Sequence, residues 1–382
     1  MLQSLRTSSS CVGRKTVVGR VLRYAVVASV TTTLILTVGC SSPAQQPAQS
    51  DGVSNSDAGG DAAWQETVQA AKSEGRVVVY LSITGVEDTL KQAWSAAYPD
   101  ITLEVFRAGS AELLSRLDQE KGTATSGADA VVMADAGWYR DNAARLLPPT
   151  GPGYYERWDG TEYSYEDGKY VLVDAAPLGL VSNTDAVEEL GADPIEEYED
   201  LLQPELAGNL AFTPAQNASA ALQWWYTVSD AVGGTDALEK IADLAPHPYP
   251  SLMPLVQAVA AGEQAVGAYS SLAAAYELQD QGAPIEVTVP SPAVGGGHFV
   301  SVVDWSANKN AAQVFRNWIL SPAGQIALNG AGDMYTPLSI ADIPEAPAEM
   351  VSIPDDMVVT DGIVTAEQQK WFDDAWTPIF EG

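Results

Sequence analysis

At five points in the chain an apolar run gives way to a helical pattern, and short polar residues stand at the junction. The first is Leu81-Ser82-Ile83-Thr84-Gly85, which offers Ser82 and Thr84. The second and third are Arg107-Ala108-Gly109-Ser110 and Ala134-Asp135-Ala136-Gly137, with Ser110 and Asp135. The fourth, residues 213–219, carries Thr213, Asn217 and Ser219, and the fifth is Tyr269-Ser270-Ser271. Backbone N–H groups at a helix start, joined by such side chains, suit a small anionic or zwitterionic ligand. Asp135 adds a carboxylate for an amine or a sugar hydroxyl. The same residue types are ordinary helix caps, so each turn alone reads as a cap and only the set reads as a site.

Other chemistry has weaker support. Glu162, Glu166 and Asp167 keep a carboxylate-dependent hydrolase open as an alternative. No Gly-x-Ser-x-Gly elbow, His-Glu-x-x-His or Walker loop is present. Residues 159–167 are rich in oxygen ligands but lack EF-hand spacing, so a solvated loop is expected there rather than a calcium site. His247 lies between two prolines and is expected in a surface loop, and His298 is expected at a strand start. Trp138, Tyr139, Trp224 and Trp225 are able to stack on a ligand, but at helix positions they are expected in the core.

The elements that must position these residues alternate. A helix is expected from Trp64 to Gly75, then a strand Arg76–Leu81 whose apolar run fits burial on both faces. A helix Val86–Tyr98, strand Ile101–Phe106, helix Ala111–Lys121 and strand Ala130–Met133 follow. Residues 151–170 read as an irregular segment or a short hairpin. The series resumes with strands Pro177–Ser182, Ala211–Thr213, Ala265–Tyr269, Ile285–Val289 and Phe299–Val303. The helices between and after them are Ser219–Val232, Leu255–Gly262, Leu272–Gln281 and Ala311–Leu320. Such alternation predicts a largely parallel sheet covered on both faces. Gly295-Gly296-Gly297 reads as a hinge turn.

Of 382 residues, 50 are acidic and 19 basic, a formal net charge of −31. The apolar share of 46% supports a sizeable core, and the acid excess excludes a nucleic-acid partner. Residues 1–39 hold Arg6, Arg14, Lys15, Arg20 and Arg23 and no acid, which leaves the body 14 basic and 50 acidic residues, net −36. This cationic stretch and the apolar run Tyr24–Val38 form a secretory signal pattern, too short to span a membrane comfortably. Leu36-Thr37-Val38-Gly39-Cys40 resembles a bacterial lipobox, in which the cysteine is lipidated and becomes the mature N-terminus. Processing would remove Cys11 with the signal and leave a body without a thiol. Residues 41–62 have the composition of a flexible tether.

The order of Val77–Tyr80, Gly109–Leu117, Ala128–Val132, Leu180–Asp185, Ala258–Glu263 and Asn310–Gln325 resembles bacterial extracellular solute-binding proteins of ABC importers, over roughly residues 64–340. The nearest branch holds binders of ferric ion, 2-aminoethylphosphonate and sugar phosphates. The resemblance implies an α/β, two-lobed periplasmic-binding-protein (class II) fold, hinged where the chain crosses near Ala176–Leu178 and Pro290–Gly297. It implies a signal peptide at 1–39, a tether at 40–62, one lobe at 63–176, a second at 177–290, and a return to the first within 291–382. It further implies a monomer without cofactor or catalysis, lipid-anchored through Cys40 on the outer face of the cell membrane. There it would pass a small polar solute to an ABC permease and its ATPase. Where the ferric branch places adjacent tyrosines, this chain has Ser270-Ser271, and where it places histidine, Ser82 and Thr84. Free iron is thereby disfavoured and chelated ferric iron stays open. A phosphonate, phosphate ester or carboxylate fits the turns.

Overall fold

The structure is a computed structural model and describes residues 58–381, apart from 124–126, 152–157 and 159–160. The expected signal, the expected lipidation site Cys40 and most of the expected tether lie outside the described residues. The tether was expected to reach residue 62, but α1 (Ala58–Glu74) begins sooner. Gly75 ends it at φ +73°, a conformation open to glycine at little cost.

The first βα series forms as the apolar runs require. β1 (Arg76–Leu81), α2 (Glu87–Ala97), β2 (Thr102–Arg107), α3 (Ser110–Thr123), β3 (Ala130–Met133) and α4 (Ala136–Asp141) follow in order. β1 pairs in parallel with β2 and β3. β4 (Ser164–Tyr165) and β5 (Tyr170–Asn183) make the hairpin, with Glu166 and Asp167 exposed in its turn. β5 is one strand of 14 residues, of which the sequence showed only the second half.

The second series comprises α5 (Thr184–Leu190), β6 (Leu210–Phe212), α6 (Ser219–Ala231), α7 (Thr235–Asp243), β7 (His247–Pro248), α8 (Leu252–Ala260), β8 (Val266–Ser271), α9 (Leu272–Asp280) and β9 (Ile285–Thr288). β10 (Val294–Val302) then returns to the first series, followed by α10 (Lys309–Ile319), α11 (Pro322–Asn329), β11 (Tyr335–Thr336), β12 (Val351–Ser352) and β13 (Val358–Thr360). α12 (Ala366–Trp371) and α13 (Thr377–Phe380) close the chain.

The main path of the sheet runs β2-β1-β3-β10-β5-β8-β6-β7. Its flanks are parallel, as expected, but its centre is not: β10 is antiparallel to β3 and β5, and β5 to β8. The reason is that β5 and β10 each traverse both halves in opposite directions. Gly295–Gly297 accordingly lie inside β10, facing Pro177, Ala176 and Ala175, and are not a turn. A side chain on Gly295 would collide with Met357, and one on Gly297 would press on Leu172 and Val359, so glycine is what lets β13 and β5 flank this strand.

Each half has its own core on both faces of the sheet. In the first lobe, Trp94, Val171, Val300 and Trp318 pack on one face, and Leu117, Tyr139, Leu172 and Phe299 on the other. In the second lobe, Leu180, Trp224, Trp225 and Val266 face Leu255, Val259, Ala275 and Ile285 across the sheet. The aromatic residues at helix positions are core residues as expected: Tyr139, Trp224 and Trp225 are each 0% exposed.

Two further features join elements distant in sequence. Asp129, 1% exposed, accepts hydrogen bonds from Val78 N (2.8 Å), Ser306 Oγ (2.6 Å), Asn308 N (3.1 Å) and Asn308 Nδ2 (3.0 Å). It therefore ties β1, β3 and the start of α10 together. Residues 353–365 form a strap: Ile353, Val359 and Ile363 pack on the first lobe, while Val364 and the helices beyond pack on the second. β13 pairs with β10, and Gln223 of α6 donates to Ile363 O (3.0 Å).

Candidate functional site

The strand registers decide where the five turns point. Met133, at the carboxyl end of β3, faces Phe299, and β10 reaches the crossing at Gly297 four residues before Ser301 pairs with Val131. The carboxyl ends of β1 and β2, parallel to β3, point the same way. From the other lobe, Ser271 at the carboxyl end of β8 sits opposite Leu178, and β6 is parallel to β8. All five turns thus open toward the β5–β10 crossing, three from one lobe and two from the other. Ligands of open α/β sheets bind at this end of the strands.

The turns differ in what is left to give. Asp135 caps α4, its Oδ1 accepting from Trp138 N (2.8 Å), and Ser271 caps α9 through Ala274 N (3.3 Å). Asn217 donates to the carbonyls of Tyr249 and Pro250, both at 3.3 Å. Ser270, fully buried, donates to Ser271 O at 3.4 Å. Ser110 and Ser219 open their helices. Ser82 Oγ and Thr213 Oγ1 are buried and have no hydrogen-bond partner among the described residues. A buried hydroxyl without a partner carries a desolvation cost that a ligand atom can relieve.

Tyr269 is placed by a bulge. The register passes from Gly179↔Ser270 to Leu180↔Ala268, so Tyr269 is skipped and adopts φ +70°. A bulky side chain in that region is strained, and such strain gathers at binding sites. Its ring meets Trp224 edge-on at 5.9 Å, and burial pushes its phenol up to about 12.

Four residues at this place were not read from the sequence as site residues. Arg107 Nη2 donates to Thr84 Oγ1 at 3.2 Å. His298, expected at a strand start, is mid-strand, with Nδ1 2.6 Å from Oδ1 of the buried Asp174. Asp174 interrupts an apolar run opposite a histidine, a signal visible only once the two strands are paired. Asp333 lies close enough that Asp174 adds to the burial raising its carboxyl above the ordinary value. A raised acid is penalised once ionised, so the cost is present at neutral pH and vanishes as pH falls through the raised value. Asp333→Asn is therefore expected to raise the melting temperature at pH 7, with the gain shrinking toward zero as pH falls below the carboxylate range. Thermal unfolding across that pH series measures it, and a gain independent of pH would contradict this origin. His247 is exposed, as expected, but it lies in the short strand β7 paired with β6 rather than in a loop. Among the described residues, no group of three or more His, Cys, Asp or Glu side chains is placed to hold a metal.

Residues 89–349 match the family described as bacterial extracellular solute-binding protein. The chain belongs to that family. As an extracellular solute-binding protein of the kind that serves ABC transporters, it acts outside the cytoplasm. An uncharacterized protein of Haemophilus influenzae is 26% identical over 297 residues, covering 73% of this chain and 82% of that one. Solved solute-binding proteins share the two-lobed fold. AfuA of Actinobacillus pleuropneumoniae, with fructose-6-phosphate bound, is 20% identical with a TM-score of 0.54, over 81% of this chain and 99% of that one. Iron-bound HitA of Pseudomonas aeruginosa is 19% identical with a TM-score of 0.59, over 78% and 99%. A substrate-binding protein of an Agrobacterium tumefaciens ABC transporter is 13% identical with a TM-score of 0.61, over 82% and 97%. The hydrolase alternative finds no support in the solute-binding family, and its carboxylates Glu166 and Asp167 are exposed hairpin residues. Among the described residues, no helix is long and apolar enough to cross a membrane.

Proposed function

We propose that this solute-binding protein captures a small polar solute, anionic or zwitterionic, between its lobes and delivers it to an ABC permease and its ATPase. The observation that carries this reading is the pair of buried, unpartnered hydroxyls, Ser82 Oγ and Thr213 Oγ1, one at a strand end of each lobe. A solute reaching both would join the lobes, and Ser110, Asn217, Ser219 and Tyr269–Ser271 stand beside them. Asp135, with one oxygen committed to its cap, keeps the other for an amine or a hydroxyl. In the same reading, residues 1–39 are removed, Cys40 carries lipid, residues 63–176 and 177–290 are the two lobes, and the protein acts as a monomer. AfuA's fructose-6-phosphate supports a phosphate ester as the kind of solute.

Native mass spectrometry of the purified full chain, followed by thermal shift with the solute it reveals, tests the reading. A solute at 100 times its Kd is expected to add about 2.7 kcal/mol of stability. Absence of any copurified solute, together with no shift across phosphonates, sugar phosphates, carboxylates and ferric chelates, would count against it. Charge sets a second expectation. Against a body of net −36, the association rate of an anionic solute rises with ionic strength as repulsion is screened, and that of a cation falls. Stopped-flow binding at about 10 mM and 150 mM salt, where the screening length drops from about 30 to 8 Å, reads the sign directly.

A further inference from the structure

The five turns contain a single Lys or Arg, and it is Arg107. In a body with 14 basic and 50 acidic residues, basic side chains readily find carboxylates. Lys72 has Asp100, Arg76 has Glu104, and Arg145 has Asp304, all within 3.7 Å. Arg107, like several of the lysines, has no carboxylate within ion-pair distance among the described residues; what sets it apart is its place at a strand end of the cleft, where its Nη2 meets Thr84 Oγ1 at 3.2 Å. Thr84 accepts that bond, so its own hydroxyl proton remains free to donate. Of the acids close in sequence, Glu104 is engaged with Arg76 (3.7 Å), and Glu112, in the first turn of α3, makes no ion pair with Arg107 among the described residues.

The surroundings leave room for a guest. A side chain added at Gly85, next to Thr84, or at Gly109, two residues after Arg107, would meet no atom within 4 Å beyond its chain neighbours. Next along the chain Ser110 opens α3, a helix of 14 residues whose first N–H groups add partial positive charge. The unpartnered Ser82 Oγ lies two residues before Thr84. A guanidinium, a free hydroxyl proton and a helix start around open space form a receptor for an oxyanion. The planar fork of arginine pairs with two oxygens of a phosphoryl or carboxylate group at once, which an ammonium cannot do.

We propose that Arg107 fixes the charge specificity of the cleft by binding the oxyanion head group of the solute, with Thr84 and the start of α3 completing the contact. The assignment rests on the solute-binding reading above and narrows it to oxyanions. The local cation also answers an electrostatic difficulty, since neutral donors alone would have to hold an anion against the field of the acidic body.

The test uses the full chain and four probes, inorganic phosphate, fructose 6-phosphate, citrate and spermidine, titrated by calorimetry into the wild type, Arg107→Lys and Arg107→Gln. At least one oxyanion is expected to bind the wild type saturably. Arg107→Gln is expected to weaken it by about 10- to 100-fold, the range for a charge-assisted hydrogen bond, and Arg107→Lys by an intermediate factor. Melting temperatures without ligand should agree among the three proteins, because Arg107 is exposed. Equal affinity of the Arg107→Gln variant for the bound oxyanion overturns the assignment, as does binding of spermidine alone or of none of the oxyanions. A copurified solute lacking an oxyanion would remove Arg107 from its role and leave solute binding standing. Failure to find any solute would remove both.

Discussion

Asp129→Ala is expected to lower the unfolding free energy by about 3–5 kcal/mol, because several buried neutral donors lose their acceptor at once. The carboxylate is 1% exposed and receives four hydrogen bonds, from Val78, Ser306 and both nitrogens of Asn308. Alanine removes their acceptor, and each buried donor left without one costs about 1–3 kcal/mol. Asp129→Asn separates charge from shape. It keeps one oxygen acceptor but turns an NH2 toward other donors, so most of the loss should remain. Urea unfolding of the three proteins measures this, and a loss below about 1 kcal/mol for Asp129→Ala would show that the network rearranges around the gap.

Trp376→Ala is expected to cost a similar amount, about 3–5 kcal/mol, through the cavity left in the second lobe. Trp376 is 0% exposed, stacks on Phe380 at 4.2 Å and lies 5.1 Å from Trp225. It also donates from Nε1 to Gln216 Oε1 at 3.3 Å, in the turn after β6. The change therefore loosens the C-terminal helices from the lobe they cover as well as opening a void. Limited proteolysis should cut the variant after α12 much faster than the wild type, while Trp376→Phe should retain most of the protection. Equal cleavage of all three would mean that α13 is held by something other than this side chain.

Much of the scaffold is local in origin. Arg76–Leu81 and Ala130–Met133 form strands with the bounds expected from the sequence, because an uninterrupted apolar run admits few other solutions. The misread parts depend on partners far along the chain. The three glycines of β10 have low strand propensity and are strand residues only because β13, Met357 and Leu172 crowd them. The first half of β5 was hidden by Asp174, which makes sense only beside His298. Trp371, Phe372, Trp376, Ile379 and Phe380 carry a helical spacing that Pro378 obscures. The five turns were legible as helix starts, yet sequence could not distinguish Asp135 and Ser271, whose oxygens are used as caps, from Ser82 and Thr213, whose hydroxyls are free. An arginine beside a strand end looks like any surface charge until the fold sets Arg107 against Thr84.

The crossing between the lobes is wider than two strands. Tyr335 pairs with Ala175, Gly297 with Ala175, Gly296 with Ala176, and Thr360 with Gly296, so β11, β5, β10 and β13 run abreast there. Strands lie about 4.8 Å apart, which makes this a band roughly 14 Å across. Such a band behaves as a leaf spring. Sideways sway stretches one edge strand and compresses the other against their hydrogen bonds, and torsion shears all three ladders. Bending out of the plane alters no edge length and few bonds. Of the rotations open to a pair of lobes, one is soft and two are stiff. In the proposed capture of a solute between the lobes, closure is then expected to return Ser82 and Thr213 to the same mutual position, giving the mouth a fixed bite.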